Sequence, residues 1–136
     1  MSYGVSAALQ QAVFQRLAAD TTLDGLVSGA IYDSAPPGIV SGTYVSLGPE
    51  DVTEKSDKTG HGALHEIIVS VVTDAAGFQQ AKEVAAAVSD ALVDATLILA
   101  RGTLVYLNFQ RARARRVQDA DVRRIDLVFH ARVQDN

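Results

Sequence analysis

Gly102-Thr-Leu-Val-Tyr-Leu-Asn-Phe-Gln-Arg-Ala-Arg-Ala-Arg-Arg-Val117, then Gln118-Asp-Ala-Asp121, then Val122-Arg-Arg-Ile-Asp-Leu-Val-Phe-His-Ala-Arg-Val133 is the stretch whose reading decides the fold. Two runs rich in β-branched and aromatic residues flank a short turn holding Asp119 and Asp121, which is a hairpin signal. In the second run Ile125, Leu127, Phe129, Ala131 and Val133 alternate with Arg124, Asp126, Val128, His130 and Arg132. A period of two sends the apolar set to a core and the mostly polar set away from it.

The first run breaks that rule halfway. Val105, Leu107 and Phe109 alternate, but the same phase continues into Arg111, Arg113 and Arg115, with Ala112 and Ala114 on the other side. Burying three unpaired guanidinium groups is far too costly. Either a β-bulge near Gln110 switches the faces, or the outer half of the hairpin projects beyond the core.

Working outward, residues 2–19 carry Val5, Leu9, Ala12, Val13 and Leu17 at three- and four-residue spacing, one apolar stripe of a helix that Ser2 or Ser6 could cap. Asp20 ends it, and Leu23, Leu26 and Val27 form a short turn beneath. Ile31-Tyr32 is strand-like and runs into a loop containing Pro36 and Pro37. Residues 43–48 read as a strand closed by Gly48-Pro49, and residues 49–63 as a long mobile loop. Residues 64–73 form the most hydrophobic strand, with Ile67, Val69 and Val71 on one face, and residues 78–93 form the second main helix. The pattern predicts one α+β domain over 1–136. Its sheet is four-stranded and antiparallel, in the order first, second, fourth, third, with both helices on one face and an extended C-terminal hairpin.

Composition narrows the chemistry. The chain of 136 residues has no cysteine, which excludes disulfides, thiolate metal sites and thiol nucleophiles. It shows no apolar run of the roughly 18–20 residues a membrane span requires, and no secretory leader, so a soluble cytoplasmic protein is expected. Net charge is −4. Its distribution is uneven: residues 1–100 hold 4 basic and 12 acidic side chains, whereas residues 101–136 hold 8 basic and 4 acidic. Such a split bears on partners: a second copy of the chain, a nucleic acid, or only water over a solvated strand face.

Catalytic patterns are missing from the sequence. There is no phosphate-binding glycine loop and no nucleophile elbow. His61 and His65 stand four apart across a loop and a strand, where they read as solvent or edge histidines rather than metal ligands. Asp33, Asp51, Asp57 and Asp74 sit where turns or caps use aspartate. No enzyme, cofactor or metal is expected. The arginine run lacks interleaved aromatics, so it carries only the phosphate-contact half of a nucleic-acid signal.

Ile31-Tyr32-Asp33-Ser34-Ala35-Pro36, Tyr44-Val45-Ser46-Leu47-Gly48 and the run from His65 to Thr73 that leads to Gly77 resemble a family of small phage tail proteins. The arginine-bearing hairpin, ending Asp119-Ala-Asp121-Val-Arg-Arg124, fits the same family. These are the tail-completion, or tail terminator, proteins of long-tailed phages, and the chain looks most similar to the version in phage-like gene transfer agents. The resemblance implies a virion structural protein that assembles in the bacterial cytoplasm. It implies a hexameric ring at the head-proximal end of the tail tube that ends tube polymerisation and joins tail to head. The implied partners are other copies of the chain, the tail tube protein and a head-side connector, with DNA passing through the ring unread and no membrane. No catalytic residue comes with it. On charge, the hairpin arginines Arg111, Arg113, Arg115, Arg116, Arg123 and Arg124 are expected to meet the acidic body of a neighbouring subunit, and the loop over 49–63, with Glu50, Asp51, Glu54 and Asp57, to face the tube or the connector. A DNA-contacting hairpin is the alternative, and a small-molecule enzyme the weakest reading.

Overall fold

A computed structural model describes residues 3–34, 41–56, 60–117 and 121–135. The elements run α1 (Ser6–Ala19), α2 (Thr21–Val27), β1 (Ile31–Tyr32), β2 (Thr43–Glu54), β3 (His61–Thr73), α3 (Gln79–Leu92), β4 (Thr103–Val117) and β5 (Val122–Asp135). The sheet order is β1-β2-β3-β5-β4. The four long strands are antiparallel in the expected order, and β1 adds a short parallel edge at Val45 and Ser46. The sheet is therefore five-stranded and mixed. A two-residue strand is too short to announce itself by periodicity, and only its pairing defines it.

Alternation sorts the sheet into two faces. Val45, Leu47, Val69, Val71, Ile125, Leu127, Phe129, Ala131 and Leu107 share one buried core with the helices. Helix α3 is rich in alanine and presents Ala81, Val84, Ala85, Val88, Ala91 and Leu92 to that core. The opposite face, over which no helix lies among the described residues, carries Ser46, Ser70, Asp126, Val128 and the long arginines.

Two helix ends differ from expectation. Ser6 caps nothing: it is the first helical residue, and its hydroxyl donates to Glu50 Oε1 at 2.8 Å. Ser2 lies outside the described residues. Asp20 both ends α1 and caps α2, accepting from the Leu23 amide at 2.9 Å, worth about 1 kcal/mol. That cap turns the expected short turn into a helix.

The expected loop over 49–63 is largely strand. Gly48-Pro49 makes a bulge instead of a stop, after which β2 resumes at Glu50 against Ile67 and runs to Glu54. Val52 packs on the core and supplies the apolar contact that holds this polar-looking extension in the sheet. The remaining connection is short, and residues 57–59 of it fall outside the described residues, as do 35–40 of the proline loop and 118–120 of the hairpin turn.

Gly102 locks the start of the hairpin. Its φ is +78°, and a Cβ there would lie 2.6 Å from the Gln134 carbonyl oxygen and 2.8 Å from a Val5 methyl. Gly102→Ala is expected to destabilise by about 2 kcal/mol, combining left-handed strain with backbone crowding. Urea denaturation of the variant checks this, and an unchanged midpoint would contradict it.

Candidate subunit and partner interface

The bulge anticipated near Gln110 is present. Phe109 pairs with Phe129 but Arg111 pairs with Val128, so one residue is extra and the faces switch. Ala112 and Ala114 turn to the helix side, while Arg111, Arg113 and Arg115 align with Val128, Asp126 and Arg124 on the helix-free face. A second bulge at Val105 throws that residue out of phase. Of the three apolar residues expected inward, only Leu107 is buried; Val105 and Phe109 are exposed.

The six arginines divide by their partners. Arg124 donates through Nε to Asp126 at 2.8 Å and through Nη2 to the Ser70 hydroxyl at 3.0 Å. Arg115 reaches the other Asp126 oxygen at 3.8 Å, and Arg116 pairs with Asp121 at 2.9 Å in full solvent. Arg123 donates to the Ala75 carbonyl at 2.9 Å and stacks over the Phe78 ring, so it ties β5 to the start of α3. Arg111 and Arg113 form no ion pair among the described residues and are exposed.

The acidic set divides as well. Glu50 points to the helix side, where it accepts from Tyr3 Oη at 2.9 Å, Ser6 Oγ at 2.8 Å and His65 Nδ1 at 2.9 Å. It tethers the beginning of α1 to the sheet. Asp51 is exposed on the helix-free face beside Glu66, and exposed Glu54 accepts from the Ser56 amide and hydroxyl. Asp57 lies outside the described residues.

His65 is the residue that sequence reasoning misplaced. It is fully buried, with Nε2 unpartnered among the described residues, rather than a solvent or edge histidine. The signal was available: His65 continues the phase of Ile67, Val69 and Val71 by one more step. The Ser70–Asp126 hydrogen bond, at 2.6 Å, was illegible because it joins residues far apart in the chain.

Two partly buried carboxylates, Glu50 and Asp126, are held below the ordinary range. Burial alone would raise Glu50, but the hydrogen bonds from His65, Ser6 and Tyr3 and the His65 charge outweigh it and leave its pKa below the ordinary range. Burial likewise opposes ionisation of Asp126, and the Ser70 hydroxyl with Arg124 and Arg115 overcomes it, so its pKa is lowered too. A lowered folded-state pKa contributes stability that is full above the unfolded values, about 4.3 for Glu and 3.9 for Asp. That stability is lost as pH falls through the folded values. Tm is therefore expected to fall steeply below about pH 4. The Glu50→Gln, Asp126→Asn double variant should be less stable at neutral pH and show a shallower acid slope. Parallel slopes would refute the assignment.

Among the described residues no group of His, Asp and Glu could hold a metal, and no helix is long and apolar enough to cross a membrane. Arg111 and Arg113 on β4 are exposed cations without an ion pair among the described residues, and Asp51 and Glu54 on β2 are exposed acids. The chain belongs to the tail completion protein gp17 family, whose model matches residues 11–134. It is also similar to a chain in a solved structure described as the virion of a native gene transfer agent particle. The identity is 65%, covering 98% of this chain and 99% of that chain, with a TM-score of 0.91. A comparison with curated proteins returns no match. The family is one of structural virion proteins and not of enzymes.

Proposed function

We propose that this chain is the tail-completion subunit of a gene transfer agent or phage-like particle. In this reading it forms a hexameric ring at the head-proximal end of the tail tube. The ring ends tube polymerisation and presents the surface that docks to the head-side connector, and DNA passes through without sequence recognition. The chain assembles in the bacterial cytoplasm and ends in the particle tail. Family membership and the 65% identical virion chain support the setting. The observation that carries the ring is the pair Arg111 and Arg113, exposed and without an ion pair among the described residues, with exposed Asp51 on the same face of a distant strand. Like surfaces do not satisfy this pattern, but unlike faces meeting head to tail do, and such contacts form a ring when the rotation between copies closes. Arg115 and Arg116 extend the basic stretch, while Arg123 and Arg124 hold the strand from behind.

Imaging of particles carrying a tagged copy tests the proposal. The tag is expected as a six-fold ring between tube and head, and a tag along the tube or at the distal tip would overturn it. The DNA-contacting alternative draws on the same two arginines. It predicts duplex binding that falls steeply between 50 and 200 mM salt, roughly tenfold or more for several phosphate contacts. No affinity at low salt removes it.

A further inference from the structure

Among the described residues both edges of the sheet are partly unpaired, and the unpaired parts are opposite in charge. On one side β1 covers only Val45 and Ser46 of β2. Beyond the Gly48-Pro49 bulge, residues 50–54 pair with β3 on one side and, among the described residues, with no strand on the other. Asp51 and Glu54 are exposed on this stretch. On the other side, β4 is a 15-residue edge strand. Its first half is partly shielded by the segment after α3, where the Asp94 amide donates to the Leu107 carbonyl at 3.1 Å. From Asn108 to Arg116 every residue is exposed. A long edge strand with exposed Phe109 is one that folded proteins pair, cover, or blunt with bulges and charge.

Strand direction makes the two edges compatible. The strands β2, β3, β5 and β4 alternate in direction, so β2 and β4 run oppositely. Copies related by rotation would bring β4 of one beside β2 of the next, again antiparallel. The uncovered stretches also lie at diagonally opposite corners. Glu50 is level with Ile67, Phe129 and Phe109, whereas Arg113 is level with Asp126, Ser70 and Ser46. A sheet that closes on itself requires such a stagger between neighbours.

We propose that residues 108–117 of β4 add, main chain to main chain, to residues 50–54 of β2 on a second copy, so that the sheets of a ring join edge to edge. The proposal rests on the ring reading above and names its contact. Arginines on the helix-free side of β4 then stand beside Asp51, on the same side of the neighbour's β2. The backbone supplies affinity, and the charges select the partner edge over like edges.

The chain has no cysteine, so introduced pairs report contacts without background. Within one subunit β2 and β4 are separated by two strands, about 14 Å, beyond the roughly 7 Å reach of a disulfide. Asp51→Cys is combined in turn with cysteine at each position from 111 to 116, and assembled particles are oxidised. The expected result is a ladder of covalent multimers whose yield peaks at every second position, with Arg111, Arg113 and Arg115 above Ala112 and Ala114. Cross-linking without this alternation would overturn strand addition while leaving the ring standing. Absence of multimers from every pair in particles that image as rings would do the same. Absence together with no ring would remove the underlying reading as well. Hydrogen exchange on unmodified particles is independent of any substitution. Alternate amides of 108–117 should slow at least tenfold relative to the free chain, and unchanged rates there would refute main-chain pairing.

Discussion

Replacing Arg111 and Arg113 together by glutamate is expected, on the proposed ring, to abolish tail joining while leaving the subunit folded. Both side chains are exposed and make no ion pair among the described residues, so little internal energy depends on them. Surface changes of this kind alter stability by about 0.5 kcal/mol each. The one internal cost is at position 113, which lies across from Asp126; like charges directly opposite destabilise by roughly 0.2–1 kcal/mol. At the proposed interface, the change places glutamates against Asp51, and like-charge juxtaposition there costs several kcal/mol. A penalty of about 3 kcal/mol already corresponds to more than a hundredfold loss of association. The measurement is the yield of joined particles, with Tm of the purified chain as control. Normal yield with the double variant would show that these arginines face elsewhere. Arg111→Lys with Arg113→Lys, which keeps the charge, should retain most of the yield.

Phe129→Ala should cost about 3–5 kcal/mol. Phe129 is the largest fully buried side chain and sits on β5, between β3 and β4. Its ring meets that of Phe109 edge to face at a centroid distance of 5.9 Å. Truncation leaves a cavity beneath strands that cannot close together without breaking their register. Against a typical stability of about 5–15 kcal/mol, the loss is large, and Tm should drop by about 10–20 °C. Urea denaturation supplies the value, and a change under about 1 kcal/mol would mean that the strands collapse onto the site after all.

The two variants separate what β4 and β5 do. One is expected to leave the fold and remove assembly; the other weakens the fold itself. The division follows the bulge at Gln110, before which β4 includes the core residue Leu107 and after which it carries cations into solvent.

Much of this was legible in local pattern. The period of two in Ile125 to Val133 fixes the faces of β5, and the stripes in the two main helices fix which sides they bury. The arginine run after Phe109 demands a bulge or a projection, because burial of three guanidinium groups is prohibitive; the structure contains a bulge and exposes the run. The uneven charge of the two parts of the chain, and the family, were legible as well.

What sequence alone left open depends on partners distant in the chain. Residues 50–54 look like loop because their own composition is polar, and they become strand because β3 offers a ladder and Val52 a core contact. Glu50 resembles a surface acid until the fold brings Tyr3, Ser6 and His65 to it. Arg123 and Arg124 look identical to Arg111 and Arg113 in a string of letters, yet Ala75, Ser70 and Asp126 bind the first pair and nothing described binds the second. Periodicity is a local property and is written in neighbouring residues. Whether a charge is satisfied is a property of who arrives across the sheet, and only the tertiary structure decides that.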